Sequence, residues 1–371
     1  MFSAIESLEK LFIEEKRVLK LFESIIETSK STRVHLKEKL KKWKNESEKA
    51  EENFVEYIGN PLNSFLLIKR MAVDYKQMQN QLGVEIEKFQ PGESDLRGAV
   101  EGLLRLQPFY KQKSSDFSHG IIDGVKTREQ LTANDLYIIG SEARKIIGHE
   151  YFAKEYLSLT WEKLNETSHD GDGVDRTALL LELVELFERT FDYKHAITLL
   201  DIILTHFNTH DFIVKKRDEV SKLCNEFGSS KFVNTNPFVE TFVRNGYYTK
   251  ENEMILFGKM CRGEITKSPK EKAELYCRYV SNSAFSKIAP FKLEEANLDP
   301  YIVIFIDVLS DEEIFVLKNI TKPNIDRAQV SNDSGTAREV SDEARVAQIA
   351  WFYDEDHEVV KRISQRVEVS F

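Results

Sequence analysis

The sequence lacks several features that would place it in a common class of protein. It has no run of about 18 apolar residues, so it contains no candidate transmembrane helix. Acidic side chains outnumber basic ones, 62 to 52, and the net charge of −10 opposes binding to the phosphate backbone of nucleic acid or to anionic lipid. No basic segment followed by an apolar core opens the chain, because residues 1–10 already follow the pattern of an amphipathic helix. We therefore expect neither a nucleic acid nor a membrane as a partner.

Cysteine is also scarce. Cys224, Cys261 and Cys277 are the only three in the sequence. They are too few for a disulfide scaffold, and they lack the paired short spacings of a zinc site. At 371 residues the chain is nevertheless long enough for two or three domains with ordinary hydrophobic cores.

A long helical seam dominates the start of the chain. Residues 5–57 place apolar side chains three or four positions apart in one continuous phase. Polar residues interrupt that phase at Glu15, Ser29, Arg33 and Ser47. Because each heptad offers two apolar positions rather than three, the pattern predicts one long helix that pairs with a second chain. The residues expected at that dimer interface are Leu19, Phe22 and Ile26, and packing within a single helical bundle is the alternative.

Helix-breaking residues divide the next part of the chain. Gly59-Asn60-Pro61 ends the first helix, since glycine permits a left-handed cap and proline cannot continue the hydrogen-bond ladder. Two more helices are predicted, over about residues 62–89 and 95–110. Residues 1–128 are therefore predicted to form a helical dimerisation domain.

Shorter helices begin near Leu131. Thr132 is a candidate N-cap with Asp135 three residues later. Four or five helices fit before Phe227, and residues 191–204 (FDYKHAITLLDIIL) have the spacing of the second helix of a tetratricopeptide repeat. Residues 129–227 are predicted to form a tetratricopeptide-like domain with a concave surface, and an undistinguished helical bundle is the alternative.

The last part of the chain has mixed α/β character. Residues 228–237 are polar and rich in Gly, Ser and Asn, and a linker is predicted over residues 228–245. Tyr301–Ile306 (YIVIFI) is typical of a strand covered on both faces, and Ser310 with Glu313 forms a capping box that opens a helix to about residue 320. A second strand over 345–351 and a helix from about Asp356 are also predicted. The fold class is thus mainly α, followed in residues 246–371 by an incomplete α/β domain.

Several motifs in order resemble one family, the α subunits of the collagen prolyl 4-hydroxylases (procollagen-proline 4-dioxygenases). Early landmarks are residues 59–70 (GNPLNSFLLIKR), 102–107 (GLLRLQ), 124–126 (GVK) and 131–135 (LTAND). The most specific are residues 260–264 (MCRGE) and 275–279 (LYCRY), which resemble the paired-cysteine element ahead of the family's catalytic domain. The resemblance implies a coiled-coil dimerisation domain, a tetratricopeptide-like peptide-binding domain and the start of a double-stranded β-helix dioxygenase.

The same resemblance implies a setting and partners. It implies the endoplasmic reticulum lumen, protein disulfide isomerase as the second type of subunit, an α–α dimer and a proline-rich, collagen-like peptide as substrate. It also implies a disulfide between Cys261 and Cys277, with two buried free thiols as the alternative.

The family's iron site has no counterpart in these 371 residues. Full-length members use Fe(II), 2-oxoglutarate and ascorbate, with iron held by a His-x-Asp pair and a distal histidine. None of the eight histidines here is followed two residues later by Asp or Glu, so we expect no catalytic residue and no metal or cofactor in this chain. The resemblance is to a subunit that ends before the iron-binding strands. Asp354 to Glu358 is interpreted as a solvated helix start, and His206 with His210 as a helix end, rather than as metal sites.

The expected peptide groove is also altered. Where the family has tyrosines, this chain has Leu183, Leu186, Phe187 and Phe191, which could bind a polyproline II ligand or could pack between helices. The expected function is dimerisation and binding of proline-rich peptide without hydroxylation. A non-catalytic helical-repeat scaffold or adaptor is the alternative.

Overall fold

The computed structural model describes most of the chain in two compact units. The described residues are 5–28, 34–86, 91–146, 148–166, 173–206, 211–228, 251–281, 283–327, 330–331, 337–338 and 348–368. Residues 1–264 form the first unit and residues 265–371 the second. The described part of the first unit is helical apart from one short β-hairpin, and the second unit contains a small antiparallel sheet, which confirms the mainly α fold class.

The N-terminal seam forms two helices rather than one. Helix α1 spans Ile5–Thr28 and α2 spans Val34–Glu52. Ion pairs from Lys16 to Glu51 and from Lys44 to Glu23 show that the helices run antiparallel. The prediction of a single helix over 5–57 is therefore wrong, because the apolar stripe of α1 is covered by the chain's own α2. Ser29 and Arg33, two of the predicted breaks, lie outside the described residues.

The residues predicted for dimerisation lie inside this core. Leu19, Phe22 and Ile26 are 4%, 0% and 3% exposed. They pack in one cluster with apolar residues of the following helices, including Leu67, Met71 and Tyr75. The structure thus matches the single-bundle alternative for this seam, and self-association stays a prediction that these three buried side chains do not support.

Helix α3 (Phe54–Gly59) ends at the predicted turn. The Asn60 side chain accepts hydrogen bonds from the backbone N–H groups of Leu62 and Asn63 and so caps the next helix. That helix has three parts: α4 (Pro61–Lys69), a π-helical turn (Arg70–Asp74) and α5 (Tyr75–Leu82). Helix α6 (Glu93–Phe109) comes next, close to its predicted position.

Five further helices confirm the predicted helical region before residue 228. A short helix α7 (Ser114–Ser118) and a hairpin of β1 (Ile121–Ile122) and β2 (Val125–Lys126) precede them. The five are α8 (Ala133–Lys145), α9 (Glu150–Glu166), α10 (Arg176–Arg189), α11 (Tyr193–His206) and α12 (Asp211–Phe227). Each packs mainly on its neighbour in sequence, as helix pairs do in a repeat array.

Local sequence explains how α8 starts and why it can pack closely against α9. Thr132 and Asp135 form the predicted capping box at the start of α8, each side chain bonding the other's backbone N–H. A Cβ at Gly140 would lie 2.7 Å from the side chain of Leu157, so glycine is needed for the close contact of α8 with α9.

The expected boundary at residue 128 falls within a continuous core. One cluster of buried residues runs from Leu62 in α4 to Leu186 in α10, and a second joins α10, α11 and α12. Lys69 adds a polar link, because its ammonium group lies 2.9 Å from Asp74 and 3.0 Å from Asp135 at the start of α8. The two predicted helical domains therefore share one compact unit.

Helix α13 (Glu251–Cys261) belongs to the first unit, which corrects the predicted start of the last domain at residue 246. It packs on α6 through an edge-to-face contact of Phe257 with Phe109. Arg262 Nη1 donates a hydrogen bond of 2.6 Å to the Phe109 carbonyl, and Glu264 accepts from both Arg262 and Lys111. The motif at 260–264 thus fastens α13 to the end of α6. The linker predicted over 228–245 lies outside the described residues except for Gly228.

The second unit begins with α14 (Pro269–Ala273) and contains a three-stranded antiparallel sheet in the order β3, β4, β5. The strands span Cys277–Val280, Phe291–Leu298 and Tyr301–Ile306, and α15 (Ala284–Ile288) lies between the first two in sequence. The predicted strand at Tyr301–Ile306 is confirmed, but it is not covered on both faces. Ile302, Ile304 and Ile306 are 49%, 50% and 41% exposed, because they lie on one face of the sheet that the described residues do not cover.

Two helices of the second unit are joined by an ion pair between the buried Glu313 carboxylate and the half-buried Arg366 guanidinium. Ser310 and Glu313 form the predicted capping box of α16 (Asp311–Thr321). Arg366 of α17 (Glu358–Glu368) donates two hydrogen bonds of 2.8 Å to the Glu313 carboxylate.

Four short strands complete the described part: β6 (Asp326–Arg327), β7 (Val330–Ser331), β8 (Ala337–Arg338) and β9 (Gln348–Ile349). Of the strand predicted over 345–351, only β9 is seen within the described residues. No helix in the described parts of the chain is both long and apolar enough to cross a membrane.

Candidate functional site

A groove with a volume of about 580 Å³ opens beside α9 in the first unit. Its walls come from the start of α7, from one face of α9 and from the end of α10. The lining residues are Lys113, Ser114, Ser115, Tyr151, Lys154, Glu155, Ser158, Leu159, Glu162 and Phe187. Because 3.6 residues make one helical turn, residues 151, 155, 158 and 162 share one face of α9. The groove therefore combines two aromatic rings with acidic, basic and hydroxyl groups.

A chain of hydrogen bonds fixes the acidic group of the groove. Ser114 Oγ donates to Glu155 Oε2 and the Tyr151 hydroxyl donates to Glu155 Oε1, both at 2.5 Å. Ser114 in turn accepts from Gln107 Nε2 at 3.0 Å, and Gln107 Oε1 accepts from the Tyr156 hydroxyl at 3.0 Å. This network lies on the protein side of the groove, because its members Ser114, Gln107 and Tyr156 are all buried. It therefore fixes the position of the Glu155 carboxylate.

The same network alters the acidity of its tyrosines. Burial, reinforced by the hydrogen bond to Glu155, raises the pKa of Tyr151 well above its ordinary value. Burial likewise raises the pKa of Tyr156. Both hydroxyls therefore remain protonated donors at any physiological pH.

A basic group and an aromatic ring form the other wall. The Lys154 ammonium group lies 5.4 Å from the centroid of the Phe187 ring and donates a hydrogen bond of 3.1 Å to Thr190 Oγ1. The His195 ring stacks on Phe187 with 5.3 Å between centroids. Burial lowers the pKa of Lys154 despite the nearby charges of Asp192 and Glu150. The Phe187 ring is thus held between neighbours while it faces the groove.

The four residues predicted to bind peptide have different positions. Leu183 and Leu186 are 2% and 0% exposed and pack in the core, as the alternative interpretation predicts. Phe187 lines the groove. Phe191 lies past the end of α10, with 60% of its surface exposed and a positive φ of 58°. The structure therefore leaves only the two phenylalanines accessible to a ligand.

Sequence reasoning missed Tyr151, Lys154 and Glu155. Their spacing on α9 gives a mixed polar and aromatic face, which is a usable signal for a surface that is neither core nor plain solvent face. Ser114 has no such signal, because only the fold brings α7 against α9.

The three cysteines are unpaired in the structure. Cys261 lies at the end of α13 in the first unit, and Cys277 is exposed on β3 in the second. The disulfide between them is therefore not formed here and stays a prediction for the oxidised protein.

The described residues do not fit an iron centre. Within them, no group of three or more His, Cys, Asp or Glu side chains is placed to hold a metal ion. His206 ends α11, and His210 lies outside the described residues. Asp354 to Glu358 lead into α17, as predicted for a helix start.

Comparisons with known proteins bear on this arrangement. Residues 4–124 match the family described as "Prolyl 4-Hydroxylase alpha-subunit, N-terminal region". Over 99% of its length the chain is 27% identical to prolyl 4-hydroxylase subunit alpha-1 of Caenorhabditis elegans and 26% identical to subunit alpha-2 of Gallus gallus and subunit alpha-1 of Homo sapiens. These alignments cover 67%, 71% and 71% of the three relatives. The similarity therefore extends through the groove and into the second unit.

Proposed function

We propose that the groove binds proline-rich, collagen-like peptide, because residues 4–124 match the N-terminal region of prolyl 4-hydroxylase alpha subunits and the similarity to such subunits extends over nearly the full chain. The observation that carries the proposal is the pair of aromatic residues, Tyr151 and Phe187, that line one open groove. A polyproline II peptide exposes a preformed apolar surface, and aromatic-lined grooves recognise such surfaces with little loss of conformational entropy.

The wider role is inferred from the same relatives. We propose that the chain serves as the peptide-binding part of an alpha subunit in the endoplasmic reticulum lumen, with protein disulfide isomerase as the second type of subunit. The exposed Phe191 supports a binding surface that continues past the groove over the turn between α10 and α11.

Hydroxylation by these 371 residues alone is not part of the proposal. The family chemistry needs Fe(II) in a facial triad, and the described residues do not supply one. We expect no iron binding on equilibrium dialysis of the chain against Fe(II) under argon, and no succinate formation with 2-oxoglutarate, ascorbate and peptide. Stoichiometric iron binding would contradict this part of the proposal.

Titration calorimetry with Pro-Pro-Gly repeats tests the peptide site. We expect a Kd of about tens of micromolar or weaker, since few aromatic groups line the groove. Tyr151→Ala should weaken binding about tenfold, because an aromatic anchor is lost. Phe212→Ala removes an aromatic ring that is 64% exposed on α12, away from the groove, and should not affect binding. Equal loss in both variants, or no binding by the wild-type chain, would favour a scaffold that uses another surface.

A further inference from the structure

The groove contains a carboxylate whose position is fixed but whose charge is not neutralised. Both oxygens of Glu155 accept hydrogen bonds from neutral hydroxyl groups, those of Ser114 and Tyr151. No ion pair joins Glu155 to a basic side chain within the described residues. Hydroxyl donors orient a carboxylate without cancelling its charge, so a full negative charge faces the groove.

The two lysines of the groove do not take the place of a partner. Lys154 lies on the Phe187 side, where its ammonium group contacts the ring and Thr190. Lys113 is at the rim, next to the buried Ser114. The groove thus has an anionic position at Glu155 and a cationic position at Lys154, held apart by their own contacts.

On the basis of the proposed function, we infer that the groove selects proline-rich peptides that carry a lysine or arginine side chain, which pairs with Glu155. A ligand cation would add the missing counter-charge to a carboxylate that is already oriented, so little side-chain entropy is lost on binding. The remaining lone pairs of the two oxygens can accept its N–H groups while the hydroxyl contacts persist.

The helical spacing of α9 adds a register. Glu162 lines the same face seven residues after Glu155, about 10.5 Å farther along the axis. Three residues of a polyproline II helix advance about 9.3 Å. Two cationic side chains three residues apart on the peptide therefore match the two carboxylates, with the exposed Glu162 contributing less than Glu155.

Three peptides of equal length test the inference by calorimetry: neutral Pro-Pro-Gly repeats, the same peptide with two lysines three residues apart, and the same with two glutamates. We expect the lysine peptide to bind the wild-type chain about tenfold more tightly than the neutral one at low salt, and the glutamate peptide more weakly than either. This preference should shrink as salt rises, because ions screen the charge pairs.

Two variants with the same net charge distinguish an effect of Glu155 itself from an effect of the overall negative charge of the protein. Glu155→Gln should abolish the preference for lysine, so that this variant binds the lysine peptide and the neutral peptide with equal affinity. Glu219→Gln removes one exposed carboxylate from α12, outside the groove, and should retain the preference. Thermal unfolding of both variants checks that the fold is intact. If the wild-type chain binds the neutral and lysine peptides equally, or if Glu219→Gln loses the preference as fully as Glu155→Gln, the inference is wrong while peptide binding stands. If no peptide binds, the proposed function itself fails.

Discussion

Glu15 and Arg70, 55 residues apart in sequence, form an ion pair inside the first unit, with 2.8 Å between Arg70 Nε and Glu15 Oε1. Glu15 is fully buried, and the same oxygen accepts a hydrogen bond of 3.0 Å from the Tyr75 hydroxyl. Arg70 and Tyr75 reach one carboxylate because the π-helical turn joins the Tyr75 N–H to the Arg70 carbonyl, which places residues five apart above one another. Glu15, one of the polar residues that interrupt the apolar seam in the sequence, is therefore part of the core.

The first prediction concerns this pair. Glu15→Gln leaves the buried Arg70 guanidinium without its counter-charge and should lower the free energy of unfolding by about 3 to 5 kcal/mol. Urea denaturation followed by circular dichroism measures the change. Glu14→Gln, which removes the surface partner of Arg17, should barely move the midpoint. If the two variants have similar urea midpoints, the buried Glu15–Arg70 pair contributes no more to stability than the Glu14–Arg17 pair does.

The second prediction concerns the seam of α1. Phe22→Asp combined with Ile26→Asp puts two charges into a closed core and should destabilise the first unit by more than about 5 kcal/mol, with loss of helical ellipticity. Ile13→Asp changes a side chain of the same helix that is 61% exposed and should leave the ellipticity intact. If sedimentation instead shows that the double variant is a folded monomer of a dimeric wild-type chain, then the seam lies between two chains.

Local signals predicted much of this fold, whereas contacts between distant elements could not be predicted. The capping boxes at Thr132 and Ser310 are confirmed because a helix start is fixed by its own few residues. In the structure the α1 stripe packs on α2 and the helices that follow, which the sequence pattern could not specify, since periodicity shows that a face is buried but not by what. Likewise, the pattern of Tyr301–Ile306 predicts a strand but says nothing of its place at a sheet edge. The candidate site depends on Ser114 meeting Glu155 across 41 residues, which no local pattern contains.

The third prediction concerns Phe191. It occupies the left-handed position of a Schellman motif at the end of α10, with its N–H bonded to the Glu188 carbonyl and the Asp192 N–H bonded to the Phe187 carbonyl. Glycine is favoured there, so Phe191→Gly should raise the free energy of unfolding by about 1 kcal/mol. The exposed ring contributes to peptide binding under the proposed function, so the same variant should bind Pro-Pro-Gly repeats more weakly. Calorimetric melting and titration measure both. A stabilised variant with unchanged affinity would exclude Phe191 from the binding surface.

The fourth prediction concerns acid stability of the second unit. The hydrogen bonds from Arg366, followed by that from the Ser310 N–H, lower the pKa of Glu313 to about 2, against an ordinary value of about 4.3. A depressed folded-state pKa supplies stability that is complete above about pH 4.3 and is lost as the pH falls toward 2. Glu313→Gln should lack this pH-dependent part.

Pepsin digestion between pH 2 and 4.5, with cuts mapped by mass spectrometry, measures that difference in the full chain. Cuts within residues 265–368 should be more frequent in Glu313→Gln than in the wild type at pH 4.5, and the two should converge near pH 2. Glu312→Gln, at the exposed neighbour in the same helix turn, is the control and should behave as the wild type. A constant difference at every pH would mean that the carboxylate charge is not the stabilising element.

The fifth prediction concerns the contact of Arg262 with α6. Arg262→Ala removes the hydrogen bond to the Phe109 carbonyl and the partner of Glu264, so α13 should separate from α6 more often. Trypsin should then cut faster at Lys259 and Lys267, while the preceding helices stay protected. Lys222→Ala removes a basic side chain on α12, outside this contact, and should show the wild-type rate of cleavage at both sites. Unchanged cleavage in Arg262→Ala would mean that the remaining contacts, Phe257 with Phe109 and Glu264 with Lys111, are enough to hold α13.

The packing of α13 on α6 also has a consequence for folding while the chain is being translated. The Phe109 carbonyl and its partner Arg262 are 153 residues apart in sequence. At about 5 to 20 residues per second, translation leaves the end of α6 without its cover for roughly 8 to 30 s after Phe109 is synthesised. During that interval the Phe109 ring lacks its contact with Phe257. A chaperone that binds exposed aromatic groups therefore has a defined target and a defined time, and both end when α13 emerges and docks.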